Sequence, residues 1–307
     1  MPTYDRPRSL RRALEALLAA PVPDQLTACV IVVDNDGHDK TVEVIREASQ
    51  RSPGRVTYVR ERRRGKSYAL NTALAHTSAD LIGLVDDDEE IDAGWYQAIA
   101  DAFDDDAVDF IGGPCLPQWG AVPPTWMPEG WRGVIGFVDD GDSEMVFGKD
   151  APGMLMGGNA VLRRRVLARV GRYSTALGPT PDRRLLSGED QDLYARLIDS
   201  GAHGLYVPAL KIYHFVPPQR LTKRYYRRWT FWNGVATGLI DRLTPQPVPH
   251  VGRVPRHLYG SAARGLVSAL AVKRETAERF SGELAIWHLA GFLYGSYWCR
   301  QPALARS

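Results

Sequence analysis

Cysteine is scarce in this chain. The three present, Cys29, Cys115 and Cys299, stand far apart and are odd in number, so neither a zinc spacing nor a disulfide framework is visible. That usage points to a reducing compartment. Cys29 opens an apolar run and reads as a small core residue. Long apolar stretches are missing as well: nothing reaches the ~18–20 uninterrupted apolar residues that span a bilayer. The nearest, 284–298, contains His288 and is flanked by Glu283 and Arg300, which fits a helix packed on the body or lying on a membrane. The start, Met-Pro-Thr-Tyr-Asp-Arg-Pro, has no apolar leader region, so no signal peptide is expected and the location read from the sequence is cytoplasmic. Repeats and low-complexity segments are absent. A net charge of +2 gives no electrostatic case for nucleic acid, and no such partner is expected.

What is present is an alternation. Helical spacing over Ser9–Leu18, 41–48, 66–75 and 95–103 is interleaved with short apolar runs at 29–33, 56–59, 81–85 and 108–111. Such alternation implies an α/β fold with a mostly parallel sheet flanked by helices. Residues 114–153 are rich in Pro, Gly and Trp with weak periodicity, the composition of a functional loop region. Helical signals return at 163–170 and 189–200, a short strand at 205–207, and a basic, aromatic, helical character from Leu221 onward.

The most telling run is Leu81-Ile82-Gly83-Leu84-Val85 ending in Asp86-Asp87-Asp88. Carboxylates at the carboxyl end of a buried strand sit where open α/β sheets bind ligands. Three adjacent negative charges are held together most simply by a hard divalent cation; taken alone the triplet reads equally as a solvated acidic loop. A second strand also ends in acid, Val33-Asp34-Asn35-Asp36, and Asp34 should share that rim unless it only caps the following helix. Ser187-Gly188-Glu189-Asp190 opens a helix, with Ser187 a candidate cap and the acids favoured by the helix dipole. The rigid Gly178-Pro179-Thr180-Pro181 before it argues for more than a cap, since a carboxylate at a helix start facing a metal site suits a general base. His214 beside aromatics is either a metal ligand or a core residue. Gly157-Gly158-Asn159-Ala160, ahead of a helix, permits close approach of backbone to a ligand or makes a plain turn. The cluster from Arg60 to Lys66 attracts phosphate or is simply solvated; it lacks the first glycine of a Walker loop.

Together these pieces resemble the family 2 inverting glycosyltransferases of GT-A fold. The resemblance runs through Pro2-Thr3-Tyr4-Asp5-Arg6-Pro7, Val33 to Asp36, Gly65 to Asn71, Val85 to Asp88, Gly158 to Ala160, Gly188 to Asp190 and His214 to Pro217. It covers roughly residues 1–235 and looks closest to bacterial exopolysaccharide-assembly enzymes of the succinoglycan type. It implies a transferase domain over 1–235, with a nucleotide-sugar half at 1–113 and an acceptor half at 114–235. A helical extension, 236–307, would follow. Thr3 and Tyr4 would border the base and Asp34 would bind uracil. Asp86 and Asp88 would hold Mg²⁺ or Mn²⁺ with the diphosphate, and Asp87 would lie near the ribose. Lys66, Gly158 and Asn159 would line the nucleotide-sugar. Asp190 would be the catalytic base, Glu189 would help to position the acceptor, and His214 would be a further metal ligand found in only part of the family. The implied partners are a nucleotide-sugar, a UDP-sugar first among the candidates, and a saccharide or lipid-linked acceptor. The basic aromatic composition of 223–300 adds a peripheral contact with the cytoplasmic face of a membrane.

One departure is the missing apolar strand that the family places directly before Pro-Thr-Tyr. Met1 stands where it would end, and an extended form is expected to be more stable than this one, because a lost central strand leaves backbone groups unpaired. A nucleotidyltransferase also joins an α/β sheet to metal-binding aspartates, but would carry a glycine-rich phosphate loop after its first strand, and none stands in 1–12. A non-catalytic sugar-binding protein would not need Asp86, Asp88 and Asp190 all intact.

Overall fold

The computed structural model describes residues 1–37, 39–149, 153, 155–180, 185–243, 245, 247–271 and 276–299. Pro181 and the end of the chain from 300 lie outside them. The opening alternation is β1 (Pro2–Thr3), α1 (Pro7–Ala19), β2 (Val30–Asp34), α2 (Asp39–Arg51), β3 (Val56–Arg60), α3 (Lys66–Ala75) and β4 (Leu81–Leu84). Leu10, Ala13, Leu14 and Leu17 of α1 fall on one buried face, the spacing of a helix laid on a sheet. Strands β1, β2 and β3 pair in parallel, in that order.

After β4 come β5 (Glu89–Ile91), α4 (Trp95–Ala102), β6 (Phe110–Gly112), β7 (Cys115–Trp119), a 3₁₀ segment (Glu129–Ile135) and β8 (Met145–Val146). Then follow β9 (Ala160–Arg163), α5 (Arg164–Val170), α6 (Glu189–Asp199), β10 (Gly204–Tyr206) and β11 (Ile212–Val216). A five-stranded mixed sheet runs β4-β9-β6-β10-β8, and a smaller one runs β5-β11-β7. The chain ends in α7 (Lys223–Leu243), the hairpin β12 (His250–Val251) and β13 (Val254–Pro255), α8 (Arg256–Ala271) and α9 (Ala277–Leu293). Helix α7 runs unbroken across residue 235, and α9 shares a core with the body: Phe280 and Leu284 pack with Val134, Ile135, Val216 and Tyr226.

Several local expectations change. Gly157–Asn159 forms a 3₁₀ turn leading into strand β9 rather than directly into a helix. Strands β5, β7 and β9 carry too short or too mixed a pattern to stand out, and they form because distant partners pair with them. Thus β9 lies antiparallel between β4 and β6. Cys29 is exposed just ahead of β2, not part of the core. Ser187 does not cap α6: the cap position is Gly188, and no side chain bonds the helix start. Its hydroxyl is buried without a partner among the described residues. Tyr226 of the basic aromatic run is fully buried.

Beside β2 and β4 lies an apolar cavity of about 170 Å³ lined by Met1, Val30, Ile31, Leu81, Ile82 and Trp95, among others. The Met1 ammonium donates to the Ile31 carbonyl at 2.9 Å at its edge. Burial pushes that amine down to about 6 against the upward pull of Asp86 and Asp87.

Candidate active site

Four segments converge on the carboxylates after β4. Lys66, the first residue of α3, donates from Nζ to Asp86 Oδ2 at 2.8 Å. The same ammonium stands 3.5 Å from Glu189 Oε1 and 3.6 Å from Asp190 Oδ2, both in the first turn of α6. One half-buried cation therefore ties the acidic triplet to the acids of a helix more than a hundred residues away. The tie is built by backbone: the Lys66 N–H donates to the Pro179 carbonyl, and the Ser67 hydroxyl to the Leu177 carbonyl. The loop before α6 is thereby fastened to the start of α3.

Gly157 makes the packing possible. A Cβ there would lie 2.0 Å from the Asp190 carboxyl carbon, and one at Gly158 would lie 2.1 Å from Glu89 Oε1. Only glycines let the two carboxylates press against this turn. Asp190 Oδ1 and Glu189 Oε2 are buried and have no hydrogen-bond partner among the described residues. Burial pushes the Asp190 carboxyl up; Lys66 pulls it back and Asp86 adds to the rise. Glu189 is raised to about 7, by burial first and by Asp190 next. Lys66 has the reverse balance: burial disfavours its charge, and Asp190, Asp86 and Glu189 more than restore it.

The rest of the triplet faces a different group. Asp87 accepts from the Thr3 hydroxyl at 2.8 Å and from Arg6 at 3.2 Å. Its carboxyl is raised to about 6, chiefly by burial, with Arg6 opposing. Asp88 Oδ2 accepts from Arg6 at 2.9 Å and Arg220 at 3.1 Å, and stands 3.7 Å from His214 Nε2. Burial pushes the Asp88 carboxyl up, but His214, Arg220 and Arg6 outweigh it and hold it below the usual carboxylate range. His214 lies within β11, with Nδ1 2.8 Å from the Ile135 carbonyl and Nε2 2.8 Å from an Arg220 nitrogen. A carbonyl only accepts and a guanidinium only donates, so in the neutral ring Nδ1 carries the proton and Nε2 accepts from Arg220.

Among the described residues no group of three or more His, Cys, Asp or Glu side chains stands assembled as a cation cage. The donor chemistry still fits one. Asp88 supplies carboxylate oxygen, His214 supplies a lone-pair nitrogen with its other nitrogen anchored to a carbonyl, and the Arg220 guanidinium bridging them occupies a place that favours positive charge.

Other expected residues lie apart. Asp34 is buried at the end of β2, accepting from the Gly37 N–H at 2.8 Å and the Tyr58 hydroxyl at 3.2 Å. Tyr4 is exposed under the Arg64 guanidinium. Asn159 is consumed inside the fold: its oxygen accepts from the Trp95 indole, and its nitrogen donates to the Pro114 and Leu210 carbonyls. Sequence reasoning gave no role to Arg6, Glu89 or Arg220. Arg6 stands inside a motif quoted for the resemblance, and Arg220 lies three residues beyond another. Glu89 directly follows the triplet and accepts the Asp86 N–H at 2.7 Å.

Comparison with known proteins decides the family. The sequence profile described as "Glycosyl transferase family 2" matches residues 1–171. The chain belongs to glycosyl transferase family 2. It is a nucleotide-sugar glycosyltransferase of GT-A-like α/β fold. Among curated family relatives, it is 24% identical over 247 residues to the glucosyl-dolichyl phosphate glucuronosyltransferase of Haloferax volcanii, across 80% of this chain and 76% of that one. It is 29% identical over 204 residues to the succinoglycan biosynthesis protein ExoU of Rhizobium meliloti, across 63% of this chain and 54% of that one. Among solved structures, the mannosyltransferase PcManGT from Pyrobaculum calidifontis, in complex with GDP-Man and Mn²⁺, superposes with a TM-score of 0.61 at 20% identity, covering 96% of this chain and 85% of that one. GalNAc-T7 with UDP, GalNAc and Mn²⁺ gives 0.53 at 13%, covering 80% of this chain and 50% of that one. These two likenesses are likenesses of fold. No helix among the described residues is long and apolar enough to cross a membrane.

Proposed function

We propose that this family 2 enzyme is a cation-dependent inverting transferase that moves a sugar from a nucleoside diphosphate, UDP first among the candidates, to a hydroxyl of a lipid-linked or polysaccharide intermediate. The observation that carries the reading is the Asp190 carboxylate held in the same Lys66-centred knot as Asp86. Asp88 and His214, with Asp86, are the residues that would hold Mg²⁺ or Mn²⁺. When bound, the cation neutralises charge developing on the leaving diphosphate.

This chain's own residues do the rest. Asp190 takes the proton of the acceptor hydroxyl at Oδ2, beside Lys66, as the hydroxyl oxygen attacks the anomeric carbon. The bond from that carbon to the diphosphate oxygen breaks, and its electron pair leaves with the diphosphate. The raised affinity of Asp190 for a proton suits this step. Lys66 keeps Asp190 oriented and supplies positive charge beside the donor half. Glu189 positions the acceptor, and Asp87, fixed by Thr3, faces the ribose. Tyr4 and Asp34 border the base, and each Asp34 oxygen keeps a lone pair for a base N–H. The dolichyl-phosphate relative supports a lipid-linked acceptor, and the cytoplasmic face of a membrane is the proposed place of work.

The test is a screen of nucleotide-sugars for Mn²⁺- or Mg²⁺-dependent release of UDP or GDP, followed by two variants. Asp190→Asn is expected to lower transfer by ~10²–10⁴-fold with donor binding nearly unchanged. Asp88→Asn is expected to weaken cation-dependent donor binding. Retained turnover in Asp190→Asn would remove it from its role.

A further inference from the structure

Within the basic aromatic stretch 223–300, the structure divides buried aromatic side chains from exposed ones. Tyr226 is buried, and Tyr225 and Trp229 pack against the core cluster that joins α7 to α9. The exposed aromatics lie instead along α9 and its continuation as a π-helical turn (Tyr294–Trp298). Trp287 is 40% exposed, Tyr294 43%, Tyr297 44% and Trp298 67%. Positions 287, 290, 294 and 298 recur at helical spacing, so they form one stripe. Phe231 of α7 extends it sideways, its ring 6.5 Å from Trp287 and 6.0 Å from Tyr294. One turn and two turns before Phe231 on α7 stand Arg228 and Arg224, both exposed. Helix α7 carries five basic side chains against one acidic. The acid nearest the stripe, Glu283, is already paired with Arg227 and accepts from the Trp287 indole.

We propose that this α7–α9 face rests on an anionic lipid bilayer, with Trp287, Tyr294 and Trp298 in the headgroup layer and Arg224 and Arg228 against lipid phosphates. Tryptophan and tyrosine favour that layer because each has an apolar ring and a polar tip, and the arginines add attraction to negative lipid. The contact lies on the membrane rather than across it, since no helix among the described residues can span one. A second copy fits less well, because a two-fold pairing through this face would bring two basic rows together. The inference stands on the surface alone and does not depend on the reaction proposed above.

Sedimentation with vesicles tests it, using phosphatidylcholine alone and phosphatidylcholine with phosphatidylglycerol. The whole protein is expected to partition onto the anionic vesicles, and less so at high salt. Arg224→Gln with Arg228→Gln is expected to lower partitioning roughly 10- to 30-fold. Trp287→Ser with Trp298→Ser is expected to lower it on both vesicle types. Both pairs are exposed, and an unchanged thermal midpoint confirms folding. Turnover of donor with a soluble acceptor should be unchanged in all variants, which separates this inference from the catalytic one. Protein left in the supernatant with anionic vesicles at low salt, or partitioning indifferent to both double variants, would overturn it. So would a concentration-dependent dimer abolished by Trp298→Ser, which would give the face to a second copy.

Discussion

Replacing Gly157 by alanine tests the reaction centre without touching a titratable group. The new Cβ would lie 2.0 Å from the Asp190 carboxyl carbon and 2.1 and 2.2 Å from its oxygens. Ordinary contact begins at 3.4 Å, so the carboxylate must retreat by about 1.4 Å. Asp190 is held on its other side by Lys66, and Lys66 by Asp86, so the retreat disturbs the knot itself. Misplacing a reacting group by about 1 Å costs on the order of 10²-fold in rate, or about 2.7 kcal/mol. Gly157→Ala is therefore expected to lower the turnover number about 100-fold. Donor binding should change less than turnover, because Asp88 and His214 make no contact with Lys66 or Asp190 and only Asp86 feels the shift, through Lys66. Steady-state kinetics paired with calorimetric donor titration reads both quantities. Gly157→Ala combined with Asp190→Asn should be no slower than Asp190→Asn alone, since one group cannot be lost twice. Gly130→Ala, where an added Cβ meets nothing within 4 Å, is the control. Wild-type turnover in Gly157→Ala would refute the placement of the base, as would equal losses in turnover and donor affinity.

Two further outcomes follow from the same structure. Glu61, Asp87 and Glu189 together give a stability maximum near pH 4.5. Glu61, bonded to Arg63 and Thr72, is held down to about 2, the Arg63 hydrogen bond contributing most, so the unfolded chain binds the extra proton and stability falls as pH drops from about 4.5 toward 2. With Arg63 largely in solvent, that is worth about 1–2 kcal/mol. Glu189 and Asp87, raised to about 7 and about 6, bind the proton in the folded state, so their contribution is full below pH ~4 and is lost as pH rises through 6–7. Thermal melts across pH 2–8 should trace both limbs, and Glu189→Gln should flatten the upper one; a flat profile between pH 4.5 and 7 would contradict the burial of these acids. The cavity beside β2 gives the other outcome. A short apolar strand-forming segment fused ahead of Met1 is expected to fill its 170 Å³ and raise the melting temperature. The upper bound is on the order of 4 kcal/mol at ~24 cal/mol per Å³. The same segment with alternate aspartates should give no rise, and equal melting temperatures for both would show that no strand adds there.

Much of the fold was legible because it is written locally. The apolar spacing of α1, the β-branched run of β2, the bounds of α3 and the apolar run of β4 each sit in one short window, where periodicity alone selects helix or strand. Strand ends and helix starts then mark where Asp34, Asp86 and Asp190 stand, because those positions follow from the elements that carry them. Strands β5, β7 and β9 escaped that reading, since each is fixed by partners far along the chain rather than by its own pattern. So did the exposure of Cys29 and the burial of Asn159.

The sequence by itself determined the alternating α/β plan, the family motifs and which residues could do acid–base or cation chemistry. Tertiary structure alone decided which charges meet. Lys66 reaches Asp86, Glu189 and Asp190, and Arg6 and Arg220 close on Asp88, across separations of up to 132 residues. No local pattern encodes such pairings. They are selected because a buried charge is tolerated only where packing brings an opposite charge within reach.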